Sequence, residues 1–215
     1  MLFGSISYLN LLPFQLFLKR YIKSNAAKMS FRYKRAVPSQ INKALKRREV
    51  NAAFISSVTS QKCKCTNLGI IAHKKVYSVL LFEGENESDP ASATSNKLAK
   101  VLDLQGKVLI GDAALKHYFD GGEGVDLAEA WYKKTGLPFV FARLCYNKHT
   151  KAIQKLAKSF SHTKVRIPQY VLKQEAKKRG ITPKQLTWYL EHIYYEMDDK
   201  AKKSLRLFLK KSKKV

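Results

Sequence analysis

Gly4-Ser5-Ile6-Ser7-Tyr8-Leu9-Asn10-Leu11-Leu12-Pro13 is the stretch on which the reading of this chain turns. Phe3 to Tyr8 alternates apolar and small residues as a buried strand does. Asn10 suits the unusual backbone of a strand-to-helix corner, and Pro13 fits a first helical turn, where the N–H it lacks has no partner. Phe14, Phe17, Leu18 and Tyr21 then recur at helical spacing, so the predicted helix packs on the sheet. The polar corner between strand and helix is where a ligand would sit.

The same device recurs along the chain. Phe31 to Val37 alternates like a strand near a sheet edge, and Pro38-Ser39-Gln40-Ile41-Asn42 opens a helix with Ser39 as its expected N-cap. Ala52 to Ile55 is a buried strand followed by the hydroxyl pair Ser56-Ser57, which leaves backbone N–H groups free at a strand end. Leu68 to Ala72 and Tyr77 to Phe82 are further apolar runs. The second, leading into the acidic connection Glu83 to Ala93, is predicted to cross between two parts of the fold. Thr94-Ser95 is expected to cap a helix, Lys107 to Asp112 reads as a strand ending in an N-cap aspartate, and Asp126 to Trp131 as a short helix. Thr135 to Ala142 is the expected return crossing. Everything beyond Asn147 reads as helical. Thr182, Pro183 and Gln185 begin a capping box, and Leu186, Tyr189, Leu190, Ile193, Tyr194 and Met197 form one apolar stripe.

The net charge of +25 points to an anionic partner, but it is unevenly spread. Residues 1–80 carry 15 Lys/Arg against one acidic residue, 81–141 carry six against ten, and 142–215 carry 20 against five. An inserted middle segment between two basic flanks follows. The aromatics lie on apolar stripes rather than among the basic residues, which argues against a nucleic-acid surface. Cys63 and Cys65 are too close to bridge and Cys145 is distant in sequence, so reduced thiols and a cytoplasmic setting are expected. No His/Cys partners at ligand spacing accompany them, so no metal is expected. No secretory signal is read at the N-terminus and no stretch spans a membrane, so no membrane insertion is expected.

These elements describe an α/β protein of two lobes, with residues 1–80 and 142–215 forming the larger and 81–141 the smaller, inserted one. A ligand cleft lies between them, and helix N-termini near Ser39, Ser56, Thr94 and Asp112 would face it, attracting a carboxylate or phosphate.

The motifs resemble a known family, the chorismate dehydratases that open the futalosine route to menaquinone, within the type II periplasmic-binding-protein-like superfamily. The resemblance is carried by Gly4 to Asn10 with Pro13, Pro38 to Asn42, Phe54-Ile55-Ser56-Ser57, Tyr77 to Leu81, Thr94-Ser95, Leu109 to Leu115, and Asp126 to Trp131 leading to Thr135 to Ala142. It implies an enzyme that removes water from chorismate to give 3-[(1-carboxyvinyl)oxy]benzoate with no cofactor. It ties Asn10 and Ser78 to the reaction and Ser39, Gln40, Ser56, Ser57, Thr94, Ser95, Asp112, Ala113 and Phe139 to substrate binding. The oligomeric state is left open.

Chorismate is a dianion whose ring becomes aromatic when its hydroxyl and a ring proton leave. The motif residues supply amide and hydroxyl groups but no histidine or glutamate at a strand end. A substrate carboxylate, such as the enolpyruvyl one, would therefore take the proton while Asn10 and Ser78 orient it. His73 reads as exposed loop, and Asp112 as a helix cap more readily than a base. Two rivals stand beside this reading: a non-catalytic binder of an aromatic carboxylate, and a later enzyme of the same route and fold, which would show a catalytic histidine in its cleft.

Overall fold

The computed structural model describes residues 1–22, 31–85, 87 and 92–215. Its strands are β1 (Leu2–Ser5), β2 (Arg32–Arg35), β3 (Ala52–Ser56), β4 (Lys64–Ala72), β5 (Val79–Phe82), β6 (Lys107–Ile110), β7 (Val125–Asp126), β8 (Phe139–Tyr146) and β9 (Ile193–Glu196). They form two sheets, β2-β1-β3-β8-β4-β9 and β6-β5-β7. The helices are α1 (Leu12–Tyr21), α2 (Pro38–Lys46), α3 (Ala93–Leu102), α4 (Gly111–Phe119), α5 (Leu127–Thr135), α6 (Thr150–Ser161), α7 (Gln169–Lys177), α8 (Pro183–Leu190) and α9 (Asp199–Lys211). No helix among the described residues is long and apolar enough to cross a membrane.

The large sheet is built from both ends of the chain. β1 runs parallel to β2 and β3, while β8 lies antiparallel between β3 and β4. Gly4 permits the tight β1–β3–α2 packing: a Cβ there would sit 2.9 Å from the Ala53 Cβ and 3.0 Å from Ile41. The β2 edge is blunted by its charge, with Arg32, Lys34 and Arg35 all exposed.

Several expectations are corrected. Val79–Phe82 and Phe139–Tyr146 each belong wholly to one sheet, so the crossings between sheets are the short connections before them. The apolar stripe from Leu186 to Met197 is two elements. α8 stops at Leu190, and Ile193–Glu196 is a strand paired antiparallel with β4. The free edge of the large sheet takes up this β-branched and aromatic run despite its helical period. Cys65 lies directly opposite Cys145 in the β4–β8 ladder, Cα–Cα 3.8 Å, and the two form a disulfide across a separation of 80 residues. Strand pairing removes the distance that sequence suggested, leaving Cys63 as the free thiol.

The helix caps also fall elsewhere. Val37, Ser92 and Ile110 are the N-caps of α2, α3 and α4, in place of Ser39, Thr94-Ser95 and Asp112. Ser56 is followed by a short 3-10 turn, Thr59–Lys62, rather than by a long helix. Asn10 lies inside a second such turn, Leu9–Leu11, in ordinary right-handed backbone, so its side chain is what the corner uses. Of the acidic connection, Asn86 and residues 88–91 lie outside the described residues.

Behind the cleft the two sheets share an aromatic seam. Trp131 of α5 and Phe208 of α9 are fully buried and Phe139 of β8 is nearly so, with ring centroids 4.9–5.9 Å apart. The Trp131 indole N–H donates to Ser204 Oγ at 2.9 Å, so its one polar atom is satisfied.

Candidate active site

Four hydrogen bonds fix the corner after β1. Leu11 N–H donates to Tyr8 O (3.0 Å) and Gln15 Nε2 to Ile6 O (2.8 Å). Tyr195 Oη donates to Asn10 O (2.7 Å), and Leu9 N–H to Asp112 Oδ1 (3.1 Å) on the opposite lobe. The backbone is thus committed, and the Asn10 side chain lines the cleft with its Oδ1 buried and unpartnered. An unsatisfied buried acceptor is costly, and one on a residue that lines a cleft is uncommitted within the protein.

Ser78 is presented by a second stake. The Asp126 carboxylate caps α5 through Oδ1, accepting from Ala128 and Glu129 N–H at 2.9 and 3.1 Å, while Oδ2 accepts from Val76 and Tyr77 N–H at 2.9 and 2.7 Å. Tyr77 is held at φ 61°, a left-handed conformation rare for a bulky residue. Ser78 O accepts from Gly111 N–H at 2.7 Å, and Ser78 Oγ lies 2.9 Å from the Tyr189 hydroxyl. Burial pushes the Tyr189 phenol well above the usual tyrosine range, so it stays protonated.

Ser56 is held by Asn42 at both ends. Asn42 Nδ2 donates to Ser56 Oγ (3.0 Å), and Ser56 N–H donates to Asn42 Oδ1 (3.1 Å). On the opposite wall Ser92 caps α3, accepting from Ser95 N–H at 3.1 Å, and Thr94 Oγ1 accepts from Val58 N–H at 3.4 Å. Gly111 opens α4 at φ 70°, and a Cβ on it would come 2.8 Å from the Tyr8 ring. Only glycine meets both conditions.

Between these walls lies a cleft of about 660 Å³, open mouth included. Asn10, Ser56, Ser78, Ser92, Thr94 and Ser95 are its polar groups, and Tyr8, Phe54 and Phe141 its aromatic ones. Among the described residues the lining carries no carboxylate, imidazole, amine or guanidinium. The large positive charge therefore lies outside the cleft. An anion inside it would meet hydroxyls and the N-terminus of α3.

Five of the sequence-predicted residues, Asn10, Ser56, Ser78, Thr94 and Ser95, meet in this cleft. The others do not line it. Ser57 is fully buried and donates to Val140 O at 2.6 Å, and Phe139 belongs to the aromatic seam, with Phe141 taking the lining position. Gln40 and Ala113 are exposed, and Ser39 makes no capping bond. Asp112 is engaged by the Leu9 N–H and by Arg179 Nε at 2.7 Å, while Arg179 also donates to Ser7 O at 2.7 Å. It is a tie between lobes, not a free base. Sequence reasoning missed Asn42, Ser92 and Tyr189. The first lay inside a quoted motif and the second three residues before Ser95, but Tyr189 gave no local signal.

Residues 1–106 and 93–214 match the family described as menaquinone biosynthesis. A chorismate dehydratase of Campylobacter jejuni is 45% identical over 99% of this chain and 98% of its own length. A chorismate dehydratase of Thermus thermophilus is 26% identical over 91% and 94%. An Archaeoglobus fulgidus protein of known crystal structure superposes with a TM-score of 0.70 at 12% identity, covering 99% and 96% of the two chains. The periplasmic aliphatic sulphonate binding protein of Escherichia coli does so with a TM-score of 0.58 at 12% identity, covering 99% and 85%. This chain belongs to the menaquinone-biosynthesis family and has a two-lobed, periplasmic-binding-protein-like α/β fold.

Proposed function

We propose that this protein is a chorismate dehydratase, a hydro-lyase converting chorismate to 3-[(1-carboxyvinyl)oxy]benzoate on the futalosine route to menaquinone. The observation that carries the reading is the meeting of Asn10 and Ser78 in an uncharged, hydroxyl-lined cleft, in a chain 45% identical over its length to a chorismate dehydratase. The proposal takes the lobes as 1–80 with 142–215 and 81–141. The separate sheets support two lobes composed in this way, with the boundaries moved to before Val79 and before Phe139, since β5 and β8 each lie wholly in one sheet.

In this mechanism the ring lies against Tyr8, Phe54 and Phe141. The carboxylates meet the start of α3 and the hydroxyls of Ser56, Ser92, Thr94 and Ser95. The C–H bond at the ring carbon bearing the enol ether breaks, its electron pair becomes ring π density, and the hydroxyl on the neighbouring carbon departs. The enolpyruvyl carboxylate takes the proton and returns it to the leaving oxygen, so water is the only co-product. Asn10 and Ser78 hold the hydroxyl and stabilise charge as it develops. Positioning of this kind contributes about 7–11 kcal/mol and an aimed donor about 3–4 kcal/mol. Aromatisation supplies the driving force, so the reaction calls for no metal or organic cofactor. A cytoplasmic setting suits such a substrate.

The test is incubation of metal-stripped protein with chorismate, followed by chromatography with mass detection. A product lighter by one water that keeps the enolpyruvyl group is expected. Chorismate that stabilises the protein yet returns unchanged would replace the enzyme by a binding protein.

A further inference from the structure

We propose that Tyr189 is a positioning residue for the dehydration, setting which way Ser78 presents its hydroxyl to the substrate. The inference rests on the function proposed above and adds a residue from the part of the chain that carries no motif.

Tyr189 belongs to α8, is 2% exposed and does not line the cleft, yet its hydroxyl is 2.9 Å from Ser78 Oγ. A protonated phenol has one proton to give. Either oxygen of this pair can donate. The phenol is buried away from the cleft whereas Ser78 lines it, so when Ser78 turns its proton to a ligand the phenol gives its own to Ser78 Oγ. That leaves the Ser78 proton free to point into the cleft.

The consequence is a polarised pair. Ser78 O–H becomes a donor aimed at the substrate and Asn10 Oδ1 an acceptor, which is the complement of an alcohol that must leave as water. A second tyrosine from the same region, Tyr195, fixes the Asn10 backbone by donating to its carbonyl at 2.7 Å. Without the Tyr189 hydroxyl, the Ser78 hydroxyl loses its fixed partner and can rotate away from the substrate. The cleft would keep its shape and lose its direction.

Wild-type protein and Tyr189→Phe are compared for chorismate turnover, alone and in a Ser78→Ala background. The expected result is a kcat lower by about ten- to a hundred-fold, with KM within about two-fold of wild type. Tyr189→Phe should cost nothing further once Ser78 is alanine. A kcat within about two-fold of wild type, or an equal loss in both backgrounds, overturns the proposal. If wild-type protein itself leaves chorismate untouched, the proposed function falls and this inference with it. Should the Phe variant fail to fold, replacing Tyr189 by difluorotyrosine decides. The more acidic phenol should bring the alkaline fall in kcat to lower pH, whereas a tyrosine that only fills space leaves the kcat–pH profile unmoved.

Discussion

The two seams that join the lobes differ in kind. Behind the cleft, Trp131, Phe139 and Phe208 interlock in a dry aromatic contact whose polar atom is satisfied by Ser204. At the cleft, the lobes meet through hydroxyls, a glycine under a tyrosine ring, and an asparagine oxygen left without a partner. The first contact holds the lobes in register. The second gives up stability to keep polar groups available, as a site for a polar substrate must.

The contrast can be broken most directly by exchanging the two kinds of damage. Asn10→Ala should lower kcat by about a hundred- to a thousand-fold. Because its Oδ1 is already unsatisfied, the thermal midpoint should hardly move. Trp131→Ala should do the reverse, destabilising by about 3–5 kcal/mol in denaturant titrations. What folded protein remains should keep its kcat. If Asn10→Ala melts the protein, or Trp131→Ala silences a folded one, the division between seams is wrong.

Asn42→Ala sharpens the comparison from inside the cleft wall. It removes both hydrogen bonds that Asn42 makes to Ser56, leaving Thr59 Oγ1 at 2.8 Å as the partner of the hydroxyl, and should cost about 1–3 kcal/mol. It should also raise KM more than it lowers kcat, since Ser56 is assigned to binding. The smallest effect is expected at the Asp112–Arg179–Glu175 tie. Burial raises the Glu175 carboxyl, but the Lys178 hydrogen bond and the charges of Arg179 and Lys178 outweigh it, so the group titrates below its ordinary value. Its contribution is present above the unfolded value, about 4.3, and is lost as pH falls through the folded one. Glu175→Gln should therefore lower the melting temperature slightly at pH 7, by less than about 1 kcal/mol equivalent. The gap should close in acid.

How far the sequence can be read follows the same line. The cleft wall is local chemistry: Asn10, Ser56, Ser78, Thr94 and Ser95 stand at corners whose strands and helices announce themselves by period, and their placement needed no distant partner. What backs the wall is tertiary. Tyr189 touches Ser78 across 111 residues, and nothing in a helical stripe marks one tyrosine as polar at its tip. Ile193–Glu196 has a period that suits a helix and becomes a strand because β4 offers it an edge. Cys65 and Cys145 are neighbours only once β4 and β8 pair. Ser39 and Asp112 are of residue types that usually cap, which is all a sequence offers about them. The chain instead starts these helices on Pro38 and Gly111, and it uses Asp112 to tie the lobes.

The central claim is that the uncharged cleft converts its ligand rather than merely holding it. The measurement closest to that claim is saturating chorismate given side by side to wild-type protein and to Ser78→Ala, following both binding and product mass. The account requires wild type to release a product one water lighter with the enolpyruvyl group intact, and Ser78→Ala to bind chorismate while turning it over at a small fraction of that rate. Equal turnover by the two proteins, or binding without product by wild type, would contradict it.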